Sequence, residues 1–183
     1  MKQEAVNDYE TIVKYKYNYA NAITLLNLTM GCFSIFFILE SKPFLAASFI
    51  IIAALLDRFD GTLARKSGMV TDLGKELDSL SDLVSFGVAP AMLLWFLALS
   101  NILIYGKIVA IIYILAGAFR LARFNVTEFK GVYIGVPITI AGGLLAITAL
   151  ITMKYNLNPY LLACFSLFLS YAMISNKIKL TKK

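Results

Sequence analysis

Asp57, Asp60, Asp78 and Asp82 stand at three- and four-residue steps in two neighbouring stretches of an otherwise apolar chain. On a helix such steps return to nearly the same direction. Asp57, Asp60, Gly61, Ala64 and Arg65 therefore share one face, and Gly74, Asp78 and Asp82 form a stripe on the next helix. An antiparallel pair joined near Ser67-Gly68 brings the two stripes together. Carboxylates are costly near hydrocarbon and mark a functional site there. Four in one volume repel one another unless divalent cations compensate them. The chain has no histidine, and its two cysteines, Cys32 and Cys164, lie in separate apolar runs. Neither a zinc site nor a disulfide is expected, and both thiols are expected to pack in the core. All-oxygen ligands favour Mg²⁺ or Mn²⁺, and two such cations suit displacement at phosphorus. Gly61 and Gly74 remove side chains where a bulky substrate approaches the backbone. Arg65 offers a forked donor for a phosphate, and Thr71 adds a hydroxyl.

The plainer reading pairs these aspartates with Arg58, Arg65, Lys66 and Lys75 at a helix boundary. It does not explain why six of the eleven acidic residues fall between positions 57 and 82. A calcium-binding EF-hand is excluded, because Asp57-Phe59-Gly61 lacks the alternating oxygen ligands of that loop.

The elements that must position the cluster are membrane helices. Of the 183 residues 60% are hydrophobic, mean hydropathy is +0.77, and a spanning helix needs about 20 apolar residues. Six segments qualify, near 20–39, 44–66, 72–99, 103–123, 132–153 and 159–176. The second and third are apolar over only part of their length, and their polar parts meet at the short turn. The fold class expected is all-α: six transmembrane helices preceded by an amphipathic interfacial helix. That first helix spans about 4–17, with Ala5, Tyr9, Ile12, Val13 and Tyr17 on one face. The organisation expected is 1–18 as a juxtamembrane helix, 19–177 as the catalytic domain and 178–183 as a basic cytoplasmic tail. Residues 1–18 are polar and charged, so no cleaved leader is expected.

Of the seventeen lysines and arginines, only Lys42, Lys107 and Lys154 fall on one side of this layout. The positive-inside rule then puts both termini and the aspartate cluster on the cytoplasmic face of the cell membrane. The net charge of +6 reflects this bias, and nucleic acid binding is not implied.

The stretch Asp-x2-Asp-Gly-x2-Ala-Arg-x8-Gly-x3-Asp-x3-Asp, running from Asp57 to Asp82, resembles the signature of the CDP-alcohol phosphotransferase family, with all eight fixed positions present. The resemblance implies a six-helix membrane enzyme, commonly a homodimer. Such an enzyme transfers a phosphatidyl-type group from a CDP-linked lipid to an alcohol and releases CMP. It implies two divalent cations held by Asp57, Asp60, Asp78 and Asp82, with Asp82 also the general base. It implies that Gly61, Arg65, Thr71 and Gly74 bind the CDP portion, with Asn21 and Thr24 of an Asn-x-x-Thr segment touching the nucleotide. The run Asp78-Ser79-Leu80-Ser81-Asp82 through Pro90, with Arg120-Leu121-Ala122-Arg123-Phe124-Asn125, is similar to the branch whose acceptor is L-serine. Arg120, Arg123 and Asn125 are then the acceptor-binding candidates, a guanidinium forking onto the serine carboxylate.

Two rivals remain. Glycerol 3-phosphate or inositol phosphate as acceptor brings a phosphate and calls for a denser basic pocket than Arg120, Arg123 and Lys130 provide. An ion-coupled transporter would place acids deep in several spans, whereas these are confined to one face. Asn27, Ser81 and Ser85 are expected to join helices by hydrogen bonds, and Gly142-Gly143 to allow close packing.

Overall fold

The computed structural model describes the backbone of residues 2–67, 71–127 and 132–181, and the side chains of residues 21–58, 71–127 and 134–178. The helices are α1 (Lys2–Leu39), α2 (Pro43–Ser67), α3 (Asp72–Asp82), α4 (Ala89–Leu97), α5 (Leu103–Val126), α6 (Ile138–Tyr155) and α7 (Pro159–Ile174). A π-helical stretch, Leu83–Val88, joins α3 to α4, and a 3₁₀ turn, Leu99–Ile102, leads into α5. Among the described residues, Asn21–Leu39, Asp72–Leu97, Leu99–Val126 and Ile138–Tyr155 are long and apolar enough to cross a membrane. Pro159–Ile174 is apolar but shorter.

The helix boundaries follow local chemistry. Ser41 takes a positive φ of 59° and lets the chain reverse; Pro43 then opens α2 where its missing N–H costs nothing. The Thr71 hydroxyl caps α3 by accepting the Gly74 N–H at 3.1 Å. Asn156, at φ 45°, ends α6 in the left-handed conformation, and the Asn158 side chain caps α7 through the Tyr160 N–H at 2.9 Å.

Small residues set the packing. Ala46, Ala47, Ala53, Ala89, Ala141, Ala146 and Ala149 are fully buried between helices, which lets backbones approach where no hydrophobic force separates helix from lipid. Interhelical hydroxyls add to this: Ser34 Oγ donates to the Ala46 carbonyl at 2.9 Å. Leu39, Phe36, Leu115 and Phe168 point outward from the bundle, as a lipid-facing surface requires.

Four expectations change. Residues 4–17 are helical but run without a break into the first apolar segment. The helix of the fifth expected span, α6, starts at Ile138, not near 132, because Gly135 at φ 79° turns the chain and Pro137 precedes the first helical residue. Residues 132–134 instead form a strand, β1 (Val132–Ile134), antiparallel to β2 (Lys179–Thr181), so that Tyr133 faces Leu180. The segment expected as a tail is thus bonded to the connection between α5 and α6. The cysteines are also placed otherwise than expected: Cys32 and Cys164 are both exposed on the outside of the bundle, where hydrocarbon accepts a thiol as readily as the core does.

Candidate active site

Asp57 comes from the polar half of α2, and Asp78 and Asp82 from successive turns of α3. Each offers a carboxylate oxygen, and the three oxygens lie within 4.8 Å of one another. Asp82 is buried at 8% exposure; Asp57 and Asp78 are half-buried. The side chains of Asp60 and Arg65, and the surroundings of Gly61, lie outside what the structure describes, although the backbone of all three continues α2. The acidic centre expected from the spacing is therefore assembled for three of its four members. Three carboxylates this close in a half-buried site fit a hard divalent cation, which takes oxygen ligands and removes their mutual repulsion.

Hydrogen bonds fix the helices that carry these groups. Ser81 donates to the Thr24 carbonyl and Ser85 to the Asn27 carbonyl, both at 3.0 Å, so α1 is stitched to α3 and the π stretch on either side of Asp82. On the opposite flank, Thr139 Oγ1 on α6 donates to Asp57 Oδ2 at 3.2 Å. Thr139 was not singled out by sequence. Its only signal is a hydroxyl in the first turn of an apolar helix, at the same end of the bundle as the aspartates.

The nucleotide-side candidates gather at the α3 N-terminus. A Cβ placed on Gly74 would stand 3.1 Å from Thr71 Oγ1 and 3.2 Å from Asn21 Oδ1. Asn21, Thr71 and Gly74 are thus immediate neighbours, while Thr24 lies one turn further along α1 and is buried at 6% exposure.

The acceptor-side candidates divide. Arg123 is engaged at the C-terminus of α7: its guanidinium donates to the Ile174 carbonyl and Asn176 Oδ1, both at 2.7 Å. It also reaches the Met173 carbonyl at 3.3 Å and the Ile134 carbonyl of β1 at 3.4 Å. Asn125 is turned onto α3, where its amide donates to Ser79 Oγ at 3.0 Å and Glu76 Oε1 at 3.1 Å. Lys75 Nζ closes this latch on the Asn125 carbonyl at 2.6 Å. Arg120 is buried at 8% exposure, with its guanidinium 6.0 Å from the Phe124 ring centroid. Lys75 Nζ lies 6.0 Å from the same centroid.

Residues 17–174 match the family described as CDP-alcohol phosphatidyltransferase. The chain belongs to this family. Among its relatives, the CDP-diacylglycerol–serine O-phosphatidyltransferase of Bacillus subtilis (strain 168) is 41% identical over 158 residues, 86% of each chain. The protein of that name from Methanocaldococcus jannaschii is 43% identical over 155 residues, covering 84% of this chain and 69% of the relative. An archaetidylserine synthase of Methanothermobacter thermautotrophicus is 39% identical over 126 residues, covering 65% of this chain and 52% of the relative. As a CDP-alcohol phosphatidyltransferase the chain is a membrane-embedded transferase of phospholipid synthesis, in a divalent-metal-dependent family. Its Asp57–Asp78–Asp82 centre is a site where such a metal fits.

Proposed function

We propose that the chain transfers a phosphatidyl or archaetidyl group from a CDP-linked lipid to the hydroxyl of L-serine, releasing CMP. The observation that carries this reading is the convergence of Asp57, Asp78 and Asp82 in a chain most of whose length aligns with serine-named relatives. In the reaction, the serine oxygen bonds to the lipid-bearing phosphorus, the bond from that phosphorus to the CMP oxygen breaks, and the serine proton is removed.

Asp57, Asp60, Asp78 and Asp82 would hold two divalent cations, Mg²⁺ or Mn²⁺, which supply charge neutralisation at the phosphoryl oxygens. Asp82 accepts the serine proton; its position at the buried end of the stripe favours it over the more open Asp78. Arg65 forks onto the diphosphate, with Asn21, Thr24, Gly61, Thr71 and Gly74 holding the rest of the CDP group. The neighbouring Asn21, Thr71 and Gly74 support this, because they surround a helix N-terminus that attracts anions. Arg120 takes the serine carboxylate. Arg123 and Asn125 bear on that side of the site by holding α7, β1 and α3 against α5, since their polar groups already bond within the chain.

The wider arrangement follows from the charge pattern. The chain makes six spans of the cell membrane, with the polar start of α1 continuing from the first span on the cytoplasmic side, where both termini and the site also lie. It works as a homodimer. CMP release from purified protein, supplied with CDP-diacylglycerol, Mg²⁺ or Mn²⁺ and a panel of serine, glycerol 3-phosphate and inositol phosphate, tests the assignment. Release should require serine, and release with another member of the panel but not with serine would overturn it.

A further inference from the structure

We infer that Tyr113 is a positioning residue for the aspartate centre, acting through the π-helical stretch that follows Asp82. The inference rests on the reading of Asp82 as ligand and proton acceptor. An α-helix would direct the N–H of residue 90 to the carbonyl of residue 86, but residue 90 is proline and has no N–H. The chain widens at this point: the Ala89 N–H reaches back five residues to the Val84 carbonyl. Tyr113 supplies a donor where the proline cannot. Its hydroxyl, on α5, donates to the Phe86 carbonyl at 3.2 Å, and its ring is fully buried.

Two further contacts close on the same turn. A Cβ on Gly142 of α6 would stand 2.6 Å from the Phe86 oxygen and 2.8 Å from its Cα, so α6 lies directly against the widened backbone. From α1, the Asn27 carbonyl accepts the Ser85 hydroxyl at 3.0 Å. The π stretch is therefore gripped from α1, α5 and α6, beginning at the residue after Asp82. π-turns of this kind recur at functional sites. The Tyr113 hydroxyl is bonded to a carbonyl inside the widened stretch, the one that Pro90 leaves without its α-helical donor. Without it the turn relaxes, and Asp82 is no longer held at its distance from Asp57 and Asp78. Tyr113 itself touches none of the reacting groups.

The test uses the full chain in detergent or nanodiscs. Mn²⁺ binding is followed by loss of the free-ion EPR signal without substrate, and CMP release is measured separately. Tyr113→Phe keeps the ring and removes only the donor. It should raise the half-saturating Mn²⁺ concentration several-fold and lower kcat about tenfold, the scale of one lost hydrogen bond. KM for the CDP-lipid should stay within about twofold. Pro90→Ala restores an N–H toward the Phe86 carbonyl, and in that background Tyr113→Phe should change the Mn²⁺ midpoint by less than about twofold. A wild-type midpoint and kcat in Tyr113→Phe would overturn the inference. So would an equal effect in both backgrounds, or a loss wholly explained by a smaller folded fraction. Absence of serine-dependent CMP release from the wild type would instead strike the proposed function, while the Mn²⁺ comparison would still decide the role of Tyr113.

Discussion

Thr139 on α6 and Asp57 on α2 are joined by a 3.2 Å hydrogen bond from the hydroxyl to the carboxylate Oδ2. The two residues are 82 positions apart in sequence, and the bond ties α6 to a carboxylate of the acidic centre. Outer groups that orient a ligating carboxylate typically change metal affinity by about 10–100-fold when removed. Thr139→Val, which keeps the branched shape, should raise half-saturating Mn²⁺ by about that factor and leave the melting temperature nearly unchanged. Saturating Mn²⁺ should recover most of the activity, and failure to recover it would argue against an orienting role.

The adjacent glycines of α6 should respond in opposite directions. Gly142→Ala drives a methyl into the Phe86 backbone, an overpacking that costs roughly 1–3 kcal/mol. Gly143 has nothing within 4 Å of its missing Cβ, so Gly143→Ala should be neutral or stabilise by up to about 1 kcal/mol through helix propensity. Unfolding midpoints of the two variants in one detergent check this. Equal shifts would contradict the packing described around Phe86.

Arg120 and Arg123 should separate by phenotype. Arg123→Ala removes a charged donor from the α7 C-terminus and from β1, which should cost roughly 2 kcal/mol of stability and move KM for serine by less than about threefold. Arg120→Lys keeps the charge but loses the fork. It should raise KM for serine about tenfold or more with KM for the CDP-lipid little changed. The reverse pattern would move the carboxylate contact to Arg123.

Asp82→Asn keeps the size of the side chain and removes its capacity to take a proton. Loss of a positioned general base lowers rate by about 10²–10⁴-fold. kcat should fall within that range for every acceptor hydroxyl tried, while the lipid substrate still binds. A near wild-type rate would exclude Asp82 as the proton acceptor.

The aspartate centre was legible in the sequence because Asp57 with Asp60, and Asp78 with Asp82, obey a local rule: steps of three and four on a helix select a face before any packing is known. The apolar segments that carry them were legible by length and composition for the same reason. Thr139 and Tyr113 were not, since a hydroxyl's partner on another helix leaves no mark in its own neighbourhood. Arg120 and Arg123 looked equivalent, three residues apart on the same helical end; only the position of α7 shows that Arg123 faces carbonyls at its terminus. The start of α6 was misplaced for a local reason that composition masks. Val132, Tyr133 and Ile134 are apolar enough to extend a membrane span, and they pair as a strand because Gly135 and Pro137 stop the helix behind them.

The π stretch between Asp82 and Ala89 also settles a question of angular phase. Each residue of an α-helix advances about 100°, so a turn holding one residue more than usual resets the direction in which everything beyond it points. Below the stretch, Leu93 and Leu94 face the core of the bundle; above it, Asp78 and Asp82 face the centre they share with Asp57. An uninterrupted helix would lock those two directions together. Closing Leu83–Val88 to an α-helix of the same length would leave every side chain of the site present in the sequence and swing the aspartates about a quarter-turn away from Asp57. The width of that one turn is therefore as much a part of the acidic centre as the carboxylates are.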